Sequence, residues 1–244
     1  MGIRSLNTPL LQLSIQYLMG IREKRRITKL LGSADIASVI EELRQLTGVI
    51  NPLIGALCSN DETVRWHAIT ALGPIVSDLA DQNMEAARVV MRRFMWSLND
   101  ESGGIGWGAP EAMGEIMACH RGLAEEYAHI LVAYMREDGF FLELEMLQRG
   151  LMWGLGRLAQ VRTNLLRSRN AITYLLPYLD STDTMVRGLA AWTLGLLQAH
   201  EAIPTLELLR SDSGRVRYFL NRSFSEATVG ELAGKALANI KKES

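Results

Sequence analysis

Five glycines recur along this chain at nearly constant spacing: Gly73, Gly114, Gly156, Gly195 and Gly234, separated by 41, 42, 39 and 39 residues. A period of about 40 residues is the mark of stacked supersecondary units, and it limits the fold more than any other feature here. Other positions keep the same register. Leu57, Leu98 and Leu179 each stand sixteen residues before their glycine. Val64-Arg65 follows Leu57, Val186-Arg187 follows Leu179 and Val216-Arg217 follows Leu209, each at offsets of seven and eight. Pro52 and Pro204 precede Leu57 and Leu209 by five.

Each unit reads as two helices. In the fourth, Ile172, Leu175, Leu176 and Leu179 form one apolar stripe. Asp180 to Asp183 supplies turn and capping residues, and Val186, Ala190, Leu194 and Leu197 resume at helical spacing. Neither helix can bury its stripe alone, so neighbouring units must stack. A glycine inside a helix costs about 1 kcal/mol relative to alanine, and its recurrence is explained if it lets the next pair approach closely. No sustained period-two alternation and no Asn-Gly turn signals a strand. The prediction is an all-α chain, an α-α superhelix of about five helix pairs that curves to the right.

The segment from Asn51 to Gly73, with Val186 to Gly195 and Ala202 to Arg210, resembles the short HEAT repeats of the phycobilisome-lyase type. The resemblance runs over about residues 49 to 240. It implies an armadillo-like solenoid and leaves the activity open, because one scaffold serves many functions. It also implies that the arginine of each Val-Arg pair links neighbouring turns through an acidic turn residue, a structural role for Arg65, Arg187 and Arg217. Residues 1–48 do not follow the repeat. They are assigned to an N-terminal helical cap, and residues 49–244 to one continuous array. Within the cap, Leu10, Leu13 and Tyr17, then Ile36, Val39, Ile40, Leu43 and Leu46, form apolar faces separated by a basic turn, Arg22 to Lys29. That turn is either a solvated face or an arm toward a partner.

Composition narrows the function classes. A formal net charge of -1 supplies no global basic field for nucleic acid or anionic membrane. No apolar run reaches the ~18 residues of a membrane span. The stretch Leu10 to Met19 is broken by Gln12 and Gln16 and followed by Arg22, Lys24, Arg25 and Arg26, which opposes export. Cys58 and Cys119 form no C-x-x-C and read as buried reduced thiols, which fits a cytoplasmic location. His67, His120, His129 and His200 make no H-x-x-x-H or H-E-x-x-H. Di-iron hydroxylases built from HEAT repeats use repeated His-Glu pairs, whereas only His200-Glu201 occurs here. No metal, cofactor or catalytic set is therefore assigned.

The second unit departs from its own pattern. Ile105 keeps the aliphatic position, but Gly106 replaces the arginine within Asn99 to Glu111, a run with four glycines ahead of Pro110. Departures of this kind mark functional sites or irregular helix starts. From Asn99 to Glu145 ten residues are acidic and two basic, while Met146 to Leu179 holds no acid and five arginines. The third unit is lengthened, with 21 residues from Met135 to Gly156. The predicted partner-binding surface therefore joins the second and third units: Asp100, Glu101, Gly103, Gly104, Gly106, Trp107 and Glu111 for a cationic group, with Arg149 and Arg157 adding the opposite sign. Trp107 would supply flat apolar area. Trp66 and Trp107 hold equivalent positions, as do Trp153 and Trp192. In the fifth unit Leu209 to Gly234 spans 25 residues, an insertion whose Tyr218, Phe219 and Phe224 are expected to cover the end of the core.

The expected function is a non-enzymatic adaptor or assembly factor with a protein partner, no nucleic acid and no membrane. The alternative is an enzyme or carrier for an anionic ligand, lyase-like or resembling DNA-repair HEAT proteins in length and architecture, which would use the arginines of the third and fourth units.

Overall fold

The computed structural model describes residues 22–33, 35–99 and 106–241. Leu10, Leu13 and Tyr17 lie outside the described residues, as do Asp100, Glu101, Gly103 and Gly104. Helix α1 (22–31) and α2 (Ile36–Arg44) precede five helix pairs. The pairs are α3 (Ile50–Ala56) with α4 (Glu62–Gln82), α5 (Met84–Leu98) with α6 (Ala109–Cys119), and α7 (Arg121–Ala133) with α8 (Glu145–Ser168). They continue with α9 (Ala171–Leu175), extended by a 3-10 turn (Leu176–Asp180), paired with α10 (Thr184–Leu196). The last is α11 (Ile203–Leu209) with α12 (Val229–Lys241).

The second helices α4, α6, α8, α10 and α12 pack successively on one another and form one layer, each also packed against the first helix of its own pair. The fold is the predicted helical solenoid. Asp61, Asn83 and Asp183 cap α4, α5 and α10 by accepting hydrogen bonds from backbone N–H groups of the first turn. Two of the recurrent glycines show what the repeat requires. A Cβ at Gly114 would lie 2.5 Å from the Cα of Gly154, and one at Gly195 would lie 2.5 Å from the Cα of Ala236. Gly234 sits on α12, and a Cβ there would meet nothing within 4 Å among the described residues.

Three expectations are corrected. The basic segment Arg22 to Lys29 is not a turn but lies within α1, where its long unbranched side chains favour helix. Cys58 and Cys119 are unpaired as expected, yet both residues keep exposed surface because they fall at helix ends, although the Cys119 thiol itself turns inward against Gly73 and Glu115.

The third correction concerns the insertion of the fifth unit, which folds as a β-hairpin. Strand β1 (Arg215–Leu220) pairs antiparallel with β2 (Ser223–Thr228), with Phe219 opposite Phe224 and Arg217 opposite Glu226. The turn residues Asn221 and Arg222 both have positive φ, 51° and 64°, which makes a type I′ connection. The hairpin does not cover the end of the array. It lies along the second-helix layer and reaches back to the first unit. Phe219 stacks on Trp66 of α4 at 5.1 Å, and the indole Nε1 of Trp153 on α8 donates to the Phe219 carbonyl at 2.6 Å.

Candidate functional site

A cavity of about 500 Å³ opens where the N-terminal ends of α4, α6, α8 and α10 meet the hairpin. Five aromatic side chains contribute to its walls: Trp66, Trp107, Trp153, Tyr218 and Phe224. The charged residues around it are Glu62, Arg65, Glu111, Arg149 and Arg217.

Local sequence explains how the second unit builds its share. Gly106 is buried against α5, where a Cβ would come within 2.9 Å of the Ser97 carbonyl oxygen. Gly108 holds φ +72° at the N-cap of α6, packed against Leu57, and Pro110 occupies the first turn. This tight entry leaves Trp107 37% exposed at the cavity mouth and brings Glu111 inside. The carboxylate of Glu111 rests against Gly150 of α8, at a place a Cβ would fill.

Glu111 accepts no hydrogen bond or ion pair from another residue among the described ones, and burial pushes its carboxyl up to about 7 despite Arg65 nearby, whose charge opposes the rise. The cations around it are otherwise committed. Arg149 binds Asp183 through Nε at 2.9 Å and Nη2 at 2.5 Å. Burial works against the ionised Asp183, but Arg149 and the Val186 N–H outweigh it and hold this carboxyl below its ordinary value. Arg217 pairs with Glu62 and lies over the ring of Phe224, 4.0 Å from its centroid. The site thus has one carboxylate among aromatic faces that makes no ion pair among the described residues. A weakly hydrated cation suits that combination.

Residues 145–197 match the HEAT-like repeat family. Over that span the chain is similar to HEAT-like repeat proteins. Solved structures similar to it include an engineered protein at 19% identity, covering 89% of this chain and 88% of that one, with a TM-score of 0.57. A second engineered protein is 20% identical over 89% and 90% of the two chains, with a TM-score of 0.55. A designed armadillo repeat protein in complex with the peptide (KR)4 is 20% identical over 97% and 96%, with a TM-score of 0.57. At these identities the likeness concerns the fold. No curated protein matches the sequence.

Within this helical array, the predicted site residues divide. Trp107, Glu111 and Arg149 come together in the cavity, and Gly106 shapes its entrance from within the core. The guanidinium of Arg149 is a linker between units rather than a free binding group. It does for the third and fourth units what Arg187 does for the fourth and fifth, where Arg187 binds Asp212 at 2.7 Å. Arg217 departs from the implied role: it belongs to a strand and pairs with the first unit.

Arg157 lies elsewhere. It binds Glu115 at 2.6 Å in a second cavity of about 350 Å³ on the other side of Phe219, with Cys119 and Arg222. The Cys119 thiol there is pushed up to about 12 by burial and by the Glu115 carboxylate. Arg162 and Arg167 donate to the carbonyls of Met117 and Leu197. The arginine-rich stretch is thus largely spent on inter-unit contacts. Sequence reasoning missed the contributions of Trp66 and Phe224, which come from the first and fifth units. Their signal was the equivalence of Trp66 with Trp107. Among the described residues no group of three or more His, Cys, Asp or Glu is placed to hold a metal, and no helix is long and apolar enough to cross a membrane.

Proposed function

We propose that this protein is a non-enzymatic adaptor or assembly factor of the cytoplasm, which holds a protein partner by a basic side chain. A lysine or arginine of the partner enters the cavity, lies against Trp107 and the neighbouring aromatic faces, and pairs with Glu111. The observation that carries this reading is the Glu111 carboxylate, which lies among aromatic side chains and makes no ion pair with a described residue. Of the five arginines open to an anionic ligand, four, Arg149, Arg157, Arg162 and Arg167, are already paired with carboxylates or backbone carbonyls, which favours the adaptor over the carrier. The designed armadillo neighbour in complex with (KR)4 supports the reading, since a repeat scaffold of similar shape holds a lysine- and arginine-bearing peptide.

The test is affinity capture from native extract with crosslink mapping. Partners should crosslink around Trp107, and both Trp107→Ala and Glu111→Gln should release them while remaining folded. Undiminished capture by both folded variants would remove the cavity from the interface.

A further inference from the structure

The hairpin is a two-stranded sheet, so each strand has one outer edge. In an antiparallel pair, residues alternate between those whose N–H and C=O point at the partner strand and those whose groups point away. With a two-residue turn at Asn221 and Arg222, the residues pointing away are Arg215, Arg217 and Phe219 on β1, and Phe224, Glu226 and Thr228 on β2. The hydrogen bonds agree. The Arg217 N–H donates to the sulfur of Met185 at 3.3 Å, and the Phe219 carbonyl accepts from Trp153. Helix side chains therefore already occupy the outer edge of β1 at these two groups. On β2, the Thr228 N–H donates to the Glu231 carboxylate at 2.9 Å. The N–H and C=O groups of Phe224 and Glu226 have no partner among the described residues. Phe224 lines the cavity and Glu226 is exposed.

We infer that the free edge of β2 at Phe224 and Glu226 is a strand-addition site, which pairs with an extended segment of a partner protein carrying a basic residue. The inference rests on the reading of the cavity as a cation acceptor and adds how the cation is delivered. An added strand bonds its backbone to Phe224 and Glu226, and its side chains opposite those residues fall on the same sheet face. That face carries Arg217 and Phe219 and is turned toward Trp66 and Glu62. Charge complementarity selects a basic residue there. Glu226 lies 3.9 Å from Arg217, which Glu62 already neutralises, and Glu111 waits in the same cavity. The main chain supplies affinity without regard to sequence, and the cavity supplies the preference for a cation.

The probe is a blocked octapeptide in which threonine and arginine alternate, since threonine favours the extended state and arginine repeats on one face. It should bind the full chain and slow amide exchange at Phe224 and Glu226 by about tenfold or more, the scale of a newly protected backbone hydrogen bond. Methylating every second backbone nitrogen of the peptide should abolish binding in one frame and spare it in the other. Absence of binding, binding by both methylated peptides, or binding without protection of these two amides would overturn strand addition. The same peptide on Glu111→Gln separates the two readings. Retained edge protection with unchanged affinity removes the cation pocket and keeps the strand site. Lost affinity without any edge protection in the parent protein does the reverse.

Discussion

Glu111 ties ligand recognition to proton balance. Its folded-state value near 7 lies above the ordinary carboxylate range, so between about 4.5 and 7 the folded protein holds a proton that the unfolded chain has released. The unfolded state then binds fewer protons, and stability falls as pH rises through that window. Glu111→Gln removes this slope. Urea unfolding at pH 5 and pH 8 should show a smaller stability difference for the variant, by on the order of 1–3 kcal/mol. A bound cation favours the ionised form, so basic peptides should bind more tightly at pH 8 than at pH 6. Trp107 tests the other wall. At 37% exposure its truncation should cost less than about 1.5 kcal/mol of stability, far from the ~3–5 kcal/mol of a core aromatic. Partner affinity should fall by ~2 kcal/mol or more, read by titration calorimetry. Trp107 and Glu111 could be picked out from sequence because they sit where one unit departs from its own consensus. Arg149 was misread because its acidic partner, Asp183, belongs to the next turn, and spacing within a single unit does not show which arginine makes that link.

Helices were legible because their apolar stripes and caps lie within one unit, and the glycines announced the close approach between layers. That argument yields a paired prediction. Gly195→Ala places a methyl against the Ala236 backbone and should destabilise by ~2 kcal/mol or more. Gly234→Ala meets open space in a helix interior and should stabilise by up to ~1 kcal/mol. Thermal unfolding of the two variants would show opposite shifts. The hairpin was not legible for two reasons. Its turn places Arg222 at φ 64° where glycine is usual, and the buried Tyr218 and Phe219 are consecutive, so the strand shows no clean alternation. Adjacent residues are buried because both faces are covered: Phe219 meets Trp66 while Tyr218 approaches Trp192 at 6.2 Å.

In most solenoids each unit touches its neighbours, so unfolding can begin at either end. Here Arg217 pairs with Glu62 and Phe219 with Trp66, contacts that join the fifth unit to the first. Phe219→Ala should cost ~3 kcal/mol, as for other packed aromatics. It should also broaden the urea transition, lowering its slope by uncoupling the ends, and unfolding followed at tryptophan fluorescence and at far-ultraviolet ellipticity should no longer coincide.

The hairpin also acts as a ruler. Repeat chains commonly lengthen or shorten by duplication or loss of a whole unit, because an added pair finds the same neighbours as before. In this chain an extra pair between α4 and α10 would carry Phe219 one helix spacing, roughly 8–10 Å, away from Trp66. A lost pair would drive the two rings past each other. The strap therefore fixes the number of units, and drift in length, ordinarily a nearly neutral change in an array, becomes one that selection would remove.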